Sequence, residues 1–119
     1  MSSPLLPNYL LSNRKRLDLS QEDVAFLLDT LSGAKISRHE RFIREPGLKT
    51  ALAYEVIYRR SVSELFSGLY VEVEQEIAVR ARLLVTKSES LEPTQHSPKR
   101  HQALSTLADR IDYRSSNTL

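Results

Sequence analysis

The stretch LSQEDVAFLLDTLSGAKISRHE, residues 19–40, constrains the fold more than any other part of the chain. Ser20 followed by Asp23 is the signature of a helix start, because this hydroxyl and carboxylate satisfy amide groups that the first helical turn leaves unpaired. Apolar residues follow at helical spacing, and turn-forming residues from Asp29 to Gly33 then break the period. The sequence therefore predicts two short helices joined by a tight turn.

The second of these helices has two different faces. Ile36 is its apolar anchor, so it is expected to face the protein interior. Lys35, Ser37, Arg38 and Arg41 are left on the outer face. A short helix with one apolar anchor and a cationic, hydroxyl-bearing outer face suits the major groove of DNA.

At this point the chain resembles a known family. The segment SQEDVA, residues 20–25, is followed by ISRHER, residues 36–41, and then by Pro46. This combination is similar to the helix-turn-helix domain of the Cro/repressor type, the XRE family, and the resemblance covers the chain from about Asn8 to Phe66. It implies an all-α, five-helix, lambda-repressor-like domain that binds double-stranded DNA.

The chain departs from the family pattern in two places. The segment from Ala25 to Ile36 is one residue longer than usual, which predicts a longer turn. Phe42 stands where the family usually has the glycine whose left-handed backbone ends the helix. The third helix is therefore expected to end differently or to continue further.

The resemblance also implies roles for individual residues. Base contacts would fall on Lys35, Ser37 and Arg38, since Gly33 and Ala34 offer no hydrogen-bonding side chain. The implied phosphate contacts are Arg14, Lys15, Arg16, Gln21, Arg41, Arg44, Lys49 and Thr50. For residues 14–16 the alternative is a solvated helix end whose cations suit the helix dipole.

Two residues of this region have structural roles in the same interpretation. Arg14 matches a position that often forms an ion pair with the glutamate at the end of the third helix, here Glu40. His39 is expected to be a packed histidine and not a metal ligand or a base.

The helices outside this region are predicted from periodicity and capping signals. The first helix is expected over Asn8–Leu17 and the fourth over Leu48–Tyr58. The core stripe expected on the fourth helix consists of Leu48, Leu52, Ala53, Val56 and Ile57. Ser61 and Glu64 form a second capping box, from which a long fifth helix runs to about Val85.

The predicted organisation has six parts. A flexible N-terminus covers residues 1–7, the helix-turn-helix domain 8–69 and a helical extension 70–86. A linker with two prolines covers 87–98, because proline interrupts a helix. A C-terminal amphipathic helix covers 99–112, and a frayed tail covers 113–119.

Several apolar residues from Phe66 onwards are predicted to lie on helix surfaces that another helix must bury. They are Phe66, Tyr70, Val73, Ile77 and Leu84 on the long helix and Leu104, Leu107 and Ile111 on the last one. One alternative is that the last helix folds back on the long helix. The other, which we favour at this point, is a homodimer held by residues from about 66 to 112.

Composition limits the function classes. Residues 1–60 contain ten Lys and Arg against seven Asp and Glu, a weak indication of a polyanionic partner. The chain has no cysteine, three scattered histidines and only three glycines, so no metal site, cofactor loop or enzyme active site is predicted. No apolar run approaches the length that crosses a membrane, and a cytoplasmic location is expected.

Two functions compete on this sequence. The first is a sequence-selective, DNA-binding transcriptional regulator, which the cations at 14–16 and 35–44 favour. The second is an antitoxin-like or other protein-interaction module, in which DNA binding is lost or secondary. Two features favour this alternative: the modest net charge, and the lack of hydrogen-bonding side chains at Gly33 and Ala34, where the third helix starts.

Overall fold

The computed structural model describes residues 5–89 and 97–110, and within these ranges its regular structure is entirely helical. The helices are α1 (Leu10–Arg16), α2 (Gln21–Leu27), α3 (Gly33–Glu40), α4 (Leu48–Tyr58), α5 (Val62–Leu65), α6 (Ser67–Glu89) and α7 (Pro98–Ala108). The predicted all-α class is confirmed. Four predicted features fall wholly or partly outside the described residues: the first four residues, residues 90–96 of the linker, Ile111 and the tail 113–119.

The chain divides into two compact units between Tyr70 and Val71. We call the part that ends at Tyr70 the N-terminal unit and the part that begins at Val71 the C-terminal unit. The N-terminal unit has one hydrophobic core, to which every helix from α1 to α5 contributes. Its buried members are Leu10, Val24, Ala25, Ile36, Tyr54, Tyr58, Leu65 and Phe66.

Side-chain caps start the helices where the sequence predicts them. Ser20 accepts the amide of Asp23 at 2.9 Å, and the Asp23 carboxylate accepts the amide of Ser20 at 2.9 Å. Ser61 and Glu64 form the same reciprocal pair ahead of α5. Both predicted capping boxes are therefore confirmed.

The first three helices all end in a left-handed residue that is not glycine. These residues are Asp18, Asp29 and Phe42, with φ of 58°, 56° and 54°. At the end of α3 the amide of Phe42 donates to the carbonyl of His39 at 3.1 Å, and the amide of Ile43 donates to that of Arg38 at 2.9 Å. This is a Schellman motif, so α3 ends at Glu40 with the non-glycine residue Phe42 in the left-handed position and does not continue further.

The expected long fifth helix is wrong, because it is broken at Phe66. This residue lies in the core with φ −118° and ψ 44°, which separates α5 from α6. The hydroxyl of Ser67 takes the carbonyl of Glu64 at 2.6 Å, and the amide of Gly68 donates instead to the carbonyl of Leu6 at 2.9 Å. The backbone hydrogen bonds of the helix are thus interrupted at this point, and the Gly68 amide is paired with the N-terminal segment instead.

The same contact corrects the prediction of a flexible lead for Leu6. Its amide donates to the hydroxyl of Tyr9 at 3.2 Å, while its carbonyl accepts the amide of Gly68. A Cβ atom at Gly68 would collide with the backbone of Leu6. Glycine is therefore needed at this close approach of two backbones.

The core face expected for α4 is confirmed only for Ile57, which packs against the core. Leu48, Leu52 and Val56 are exposed, whereas Tyr54 and Tyr58 are fully buried. The two tyrosine rings stack 5.8 Å apart with 9° between their planes. The helix thus faces the core with its aromatic residues and presents an aliphatic stripe to solvent.

The bounds of three helices differ from the prediction. α1 begins at Leu10, because the buried Asn8 stays outside the helix and accepts the amide of Leu10 at 3.0 Å. α6 continues to Glu89, into the expected linker; its last turn includes the buried Ser88, which accepts a hydrogen bond from Arg100 at 2.8 Å. α7 begins at Pro98, whose missing amide is not needed in the first turn, and ends at Ala108.

Candidate nucleic-acid interface

α2 and α3 approach each other closely at Gly33. Gly33 is buried, and a Cβ atom there would lie 2.6 Å from Glu22 Oε1 and 3.0 Å from the Cβ of Gln21. The amide of Gly33 donates to Glu22 Oε1 at 2.9 Å, so a carboxylate of α2 caps the start of α3. A larger residue at position 33 would therefore have to displace the Glu22 carboxylate and press on Gln21.

The two sides of α3 differ as the sequence predicts. Ile36 and His39 are buried, whereas Arg38 is exposed. Lys35 and Ser37 are half-buried. Within the described residues the side chains of Lys35, Ser37 and Arg38 make no hydrogen bond or ion pair. Of the three predicted base contacts, Arg38 is thus the most accessible.

His39 fixes the inner side of α3, which confirms the expectation of a packed histidine. Its Nδ1 lies 2.7 Å from the hydroxyl of Tyr54, and its ring meets the Tyr54 ring edge-on at 5.7 Å. Its carbonyl accepts the side-chain amide of Asn8 at 3.0 Å. Burial, and then the nearby cations Lys35 and Arg44, lower the pKa of His39, which favours the neutral ring.

Arg14 and Glu40 are brought together as the resemblance implies. Arg14 Nε donates to Glu40 Oε2 at 2.6 Å and Nη2 to Oε1 at 3.2 Å, while Nη1 donates to the carbonyl of Leu19 at 3.0 Å. The Glu40 side chain is only 3% exposed. This bidentate pair joins α1 to the end of α3, so Arg14 has a structural role.

Gln21 belongs to the same cluster. Its side-chain amide donates to Glu40 Oε1 at 3.0 Å, which links the start of α2 to the end of α3. The family role of this residue, a phosphate contact, therefore has to coexist with an internal hydrogen bond. Sequence reasoning missed this bond, because nothing local to Gln21 indicates it.

The three consecutive cations of α1 do not share one role. Arg16 Nη2 donates to the carbonyl of Tyr58 at 2.7 Å, at the end of α4, and also to Asn13 Oδ1 at 3.2 Å. Lys15 is exposed and, among the described residues, has no hydrogen bond or ion pair. Two of the three cations thus hold the fold together, and Lys15 is the one available to a ligand.

The remaining predicted phosphate contacts follow α3. Arg41, Arg44 and Lys49 are exposed, and Thr50 is half-buried. α4 begins at Leu48, and its N-cap residue Gly47 offers no side-chain cap, so amide groups of its first turn have no side-chain partner among the described residues. Arg41 and Lys15 also border one cavity of about 330 Å³, whose walls include Tyr9 and Phe42.

The last helix folds back on the long one within the C-terminal unit. Arg110 Nη2 lies 2.8 Å from Glu74 Oε2, and Arg82 donates to the carbonyl of Ala108 at 3.3 Å. Of the residues expected to cover the stripe, Leu104 and Leu107 are half-buried. The fold-back alternative is therefore the arrangement present in the single chain.

Residues expected to hold a dimer occupy different environments. The prediction that Phe66 helps to hold a dimer is wrong, because Phe66 is buried in the core of the N-terminal unit and is not available to a partner. Tyr70, Val73, Ile77 and Leu84 remain between 40% and 45% exposed. The fold-back thus leaves this face of α6 partly open.

No protein-family model matches the chain, and neither a curated protein nor a solved structure matches it. In the described ranges no helix combines the length and the apolar character that crossing a bilayer requires. The same ranges contain no group of three or more histidine and acidic side chains placed to hold a metal ion. The assignment to the XRE family stays a prediction from the sequence.

Proposed function

We propose that this protein is a sequence-selective DNA-binding regulator that places α3 in the major groove. One observation carries the proposal: the inner side of α3 is held by Ile36, by the His39–Tyr54 contact and by the Glu40–Arg14 pair, while the Arg38 side chain has no partner among residues 5–89 and 97–110. A rigid helix with an unengaged guanidinium is suited to bidentate contact with a guanine edge. Lys35 and Ser37 lie near Arg38 on α3 and contribute further contacts to the base edges.

The proposed phosphate contacts are the cations that the fold does not use. They are Lys15, Arg41, Arg44 and Lys49, with Thr50 beside the uncapped start of α4. A helix start with unpaired amide groups attracts an anion, and a neighbouring Lys49 strengthens that attraction. Arg14 and Gln21 act mainly by joining α1 and α2 to the end of α3, and Arg16 acts mainly by joining α1 to the end of α4.

The proposed active form is a homodimer. One short helix reads only a few base pairs, so a two-fold dimer on a near-palindrome is the usual way to gain affinity and selectivity. The partners proposed for this chain are therefore double-stranded DNA and a second copy. No cofactor or catalytic step is part of the proposal.

A specific observation supports the antitoxin-like alternative. The N-terminal unit exposes large apolar side chains, among them Phe26, Leu31, Leu48 and Val56. Exposed apolar residues in such number are typical of protein-interaction surfaces. In this alternative a protein partner covers them, and DNA binding is secondary or absent.

Fluorescence anisotropy with DNA from the promoter region beside the protein's own gene tests the proposal. If Arg38 reads a base, Arg38→Ala should weaken binding to the preferred site by about 1–3 kcal/mol and binding to random DNA much less. Arg60→Ala is the matched control, since Arg60 is exposed and, in the part of the chain that the structure describes, its guanidinium donates only to the carbonyl of Arg59. Equal losses on both DNAs would make Arg38 a phosphate contact, and no binding at all would favour the protein-interaction alternative.

A further inference from the structure

Within the C-terminal unit, α6 has two faces of different composition. Ala78, Ala81 and Ser88 are buried on the side that carries the contacts to α7. Val73, Ile77 and Leu84 lie on the neighbouring face and are 45%, 44% and 41% exposed. The contacts to α7 thus lie on the side of the small residues, and a larger apolar face of α6 stays half exposed.

The open face has the spacing of a helix–helix seam. Val73, Ile77, Arg80 and Leu84 follow one another at steps of four, three and four residues. These are alternating a and d positions of a heptad pattern, in which Glu76 takes the flanking g position. The seam is thus apolar except for one cation at its middle.

Glu76 and Arg80 are both exposed and, within the described residues, neither forms an ion pair or a side-chain hydrogen bond. They are four residues apart on one helix, a spacing at which such a pair often forms. Each charge is therefore available to a partner beside the seam.

We propose that this face of α6 binds the same face of a second copy in antiparallel orientation. This inference rests on the homodimer of the proposed function and adds its surface, direction and register. In the proposed register, Val73 packs against Leu84 of the partner subunit, and Ile77 lies opposite Arg80 of the partner subunit. Each Arg80 then reaches Glu76 of the partner subunit, because d and g positions of antiparallel helices lie on the same side of the seam.

Charge distinguishes this orientation from the parallel one. In a parallel pair each d position meets its own copy, so Arg80 would face Arg80 of the partner subunit. Two cations at the centre of a partly desolvated seam repel each other. The antiparallel pair replaces this repulsion with two equivalent contacts between opposite charges.

The register is complementary to itself, which is why the occupant is a second copy and not an unrelated protein. A two-fold interface requires that residue i contacts j and that j contacts i. The pairs 73 with 84, 77 with 80 and 76 with 80 satisfy this condition together. With α7 on the neighbouring face of each α6, the product is a four-helix bundle of two hairpins.

Charge reversal in full-length chains tests the proposal. Glu76→Arg alone places cations against Arg80 of the partner subunit, and Arg80→Glu alone places anions against Glu76. Each variant should raise the dimer dissociation constant by about tenfold or more. An equimolar mixture of the two variants should recover dimers, because each contact then joins opposite charges; native mass spectrometry of one mass-tagged variant identifies the mixed species.

A disulfide experiment tests the direction separately. The chain has no cysteine, so Val73→Cys and Leu84→Cys each introduce a single thiol. An oxidised mixture should give mainly the disulfide between position 73 of one chain and 84 of the other. Efficient cross-linking of Val73→Cys with itself would overturn the antiparallel orientation.

Two further outcomes would overturn the proposal. One is an unmodified protein that sediments as a monomer at about 100 µM. The other is single charge variants that dimerise like the unmodified protein. Neither outcome bears on Arg38, because the effect of Arg38→Ala on the affinity for preferred and random DNA is measured independently. Failure of the proposed dimer and failure of the proposed DNA binding are therefore distinguishable.

Discussion

His39 Nδ1 lies 2.7 Å from the hydroxyl of Tyr54, and this contact joins α3 to α4 inside the core. Both side chains are almost completely buried. A buried polar atom that loses its partner is costly, because water cannot replace the lost hydrogen bond. The contact therefore ties the orientation of α3 to the stability of the N-terminal unit.

A pair of tyrosine variants tests this contact. Tyr54→Phe should lower the free energy of unfolding by about 1–3 kcal/mol, since it leaves His39 Nδ1 unpaired. Tyr58→Phe should change it by less than about 0.5 kcal/mol or raise it, because the buried Tyr58 hydroxyl has no hydrogen-bond partner in the described structure. Burial raises the pKa of Tyr58 to about 12, so both tyrosines are neutral in the experiment. Equal losses in urea unfolding would contradict the proposed importance of the His39 contact.

Acid should weaken the fold through His39. Burial lowers the pKa of His39 below its ordinary value of 6.5, so the unfolded chain takes up this proton at a higher pH than the folded one. Stability is therefore fully present above pH 6.5 and decreases as the pH falls towards the folded pKa, by at most about 1.4 kcal/mol per pH unit.

Urea unfolding between pH 7 and 5 measures this effect, with His39→Gln as the control. The other two histidines remain in both proteins, so the difference between the two curves reports His39 alone. Parallel curves would mean that His39 titrates equally in the folded and unfolded states.

The starts of α2 and α5 were predictable because their signals are local. Ser20 with Asp23 and Ser61 with Glu64 each complete a capping box within four residues, and both formed. The break at Phe66 was not predictable, because it depends on the carbonyl of Leu6, more than fifty residues earlier in the chain. Local patterns thus located the helices better than they located their interruptions.

For the candidate site, too, only the features that depend on local sequence were predictable. The outward position of Arg38 follows from helical periodicity, since Ile36 and His39 fix the inner side. The different roles of Lys15 and Arg16 do not follow from the sequence, because they depend on where the carbonyl at the end of α4 lies. The buried side of α4 was misassigned because aliphatic residues were preferred over tyrosines, whose hydroxyls make their burial depend on distant partners.

Asp29 offers a test of the left-handed helix ends. It adopts φ 56° after α2, and its exposed carboxylate lies at a helix C-terminus, where a negative charge is unfavourable. Asp29→Gly should raise the thermal stability by about 0.5–1 kcal/mol, because glycine adopts this conformation without steric cost. Asp29→Asn separates the two causes, since it removes only the charge. A lower melting temperature for Asp29→Gly would show that the larger conformational entropy that glycine loses on folding outweighs the relieved strain.

Arg14 and Glu40 should show strong energetic coupling. Arg14→Ala leaves the carboxylate of Glu40 buried with Gln21 as its remaining side-chain partner, and a loss of about 3 kcal/mol is expected. Glu40→Ala leaves the guanidinium with only a backbone carbonyl and should also destabilise. The double variant should cost less than the sum of the two single changes, as a double-mutant cycle in urea will measure. Strict additivity would mean that the two side chains do not interact in solution.

Lys15 and Arg16 are adjacent cations for which opposite results are expected. Lys15→Ala removes an exposed charge without an internal partner, so stability should be unchanged. If Lys15 contacts phosphate, affinity should fall equally on preferred and random DNA, and the slope of log K against log salt concentration should decrease by about 1. Arg16→Ala instead removes the hydrogen bond to the carbonyl of Tyr58, so it should lower the melting temperature and leave the salt slope almost unchanged. Because both variants remove one positive charge from the same helix, each is the control for the other, and equal effects on the salt slope would refute the assignment of different roles.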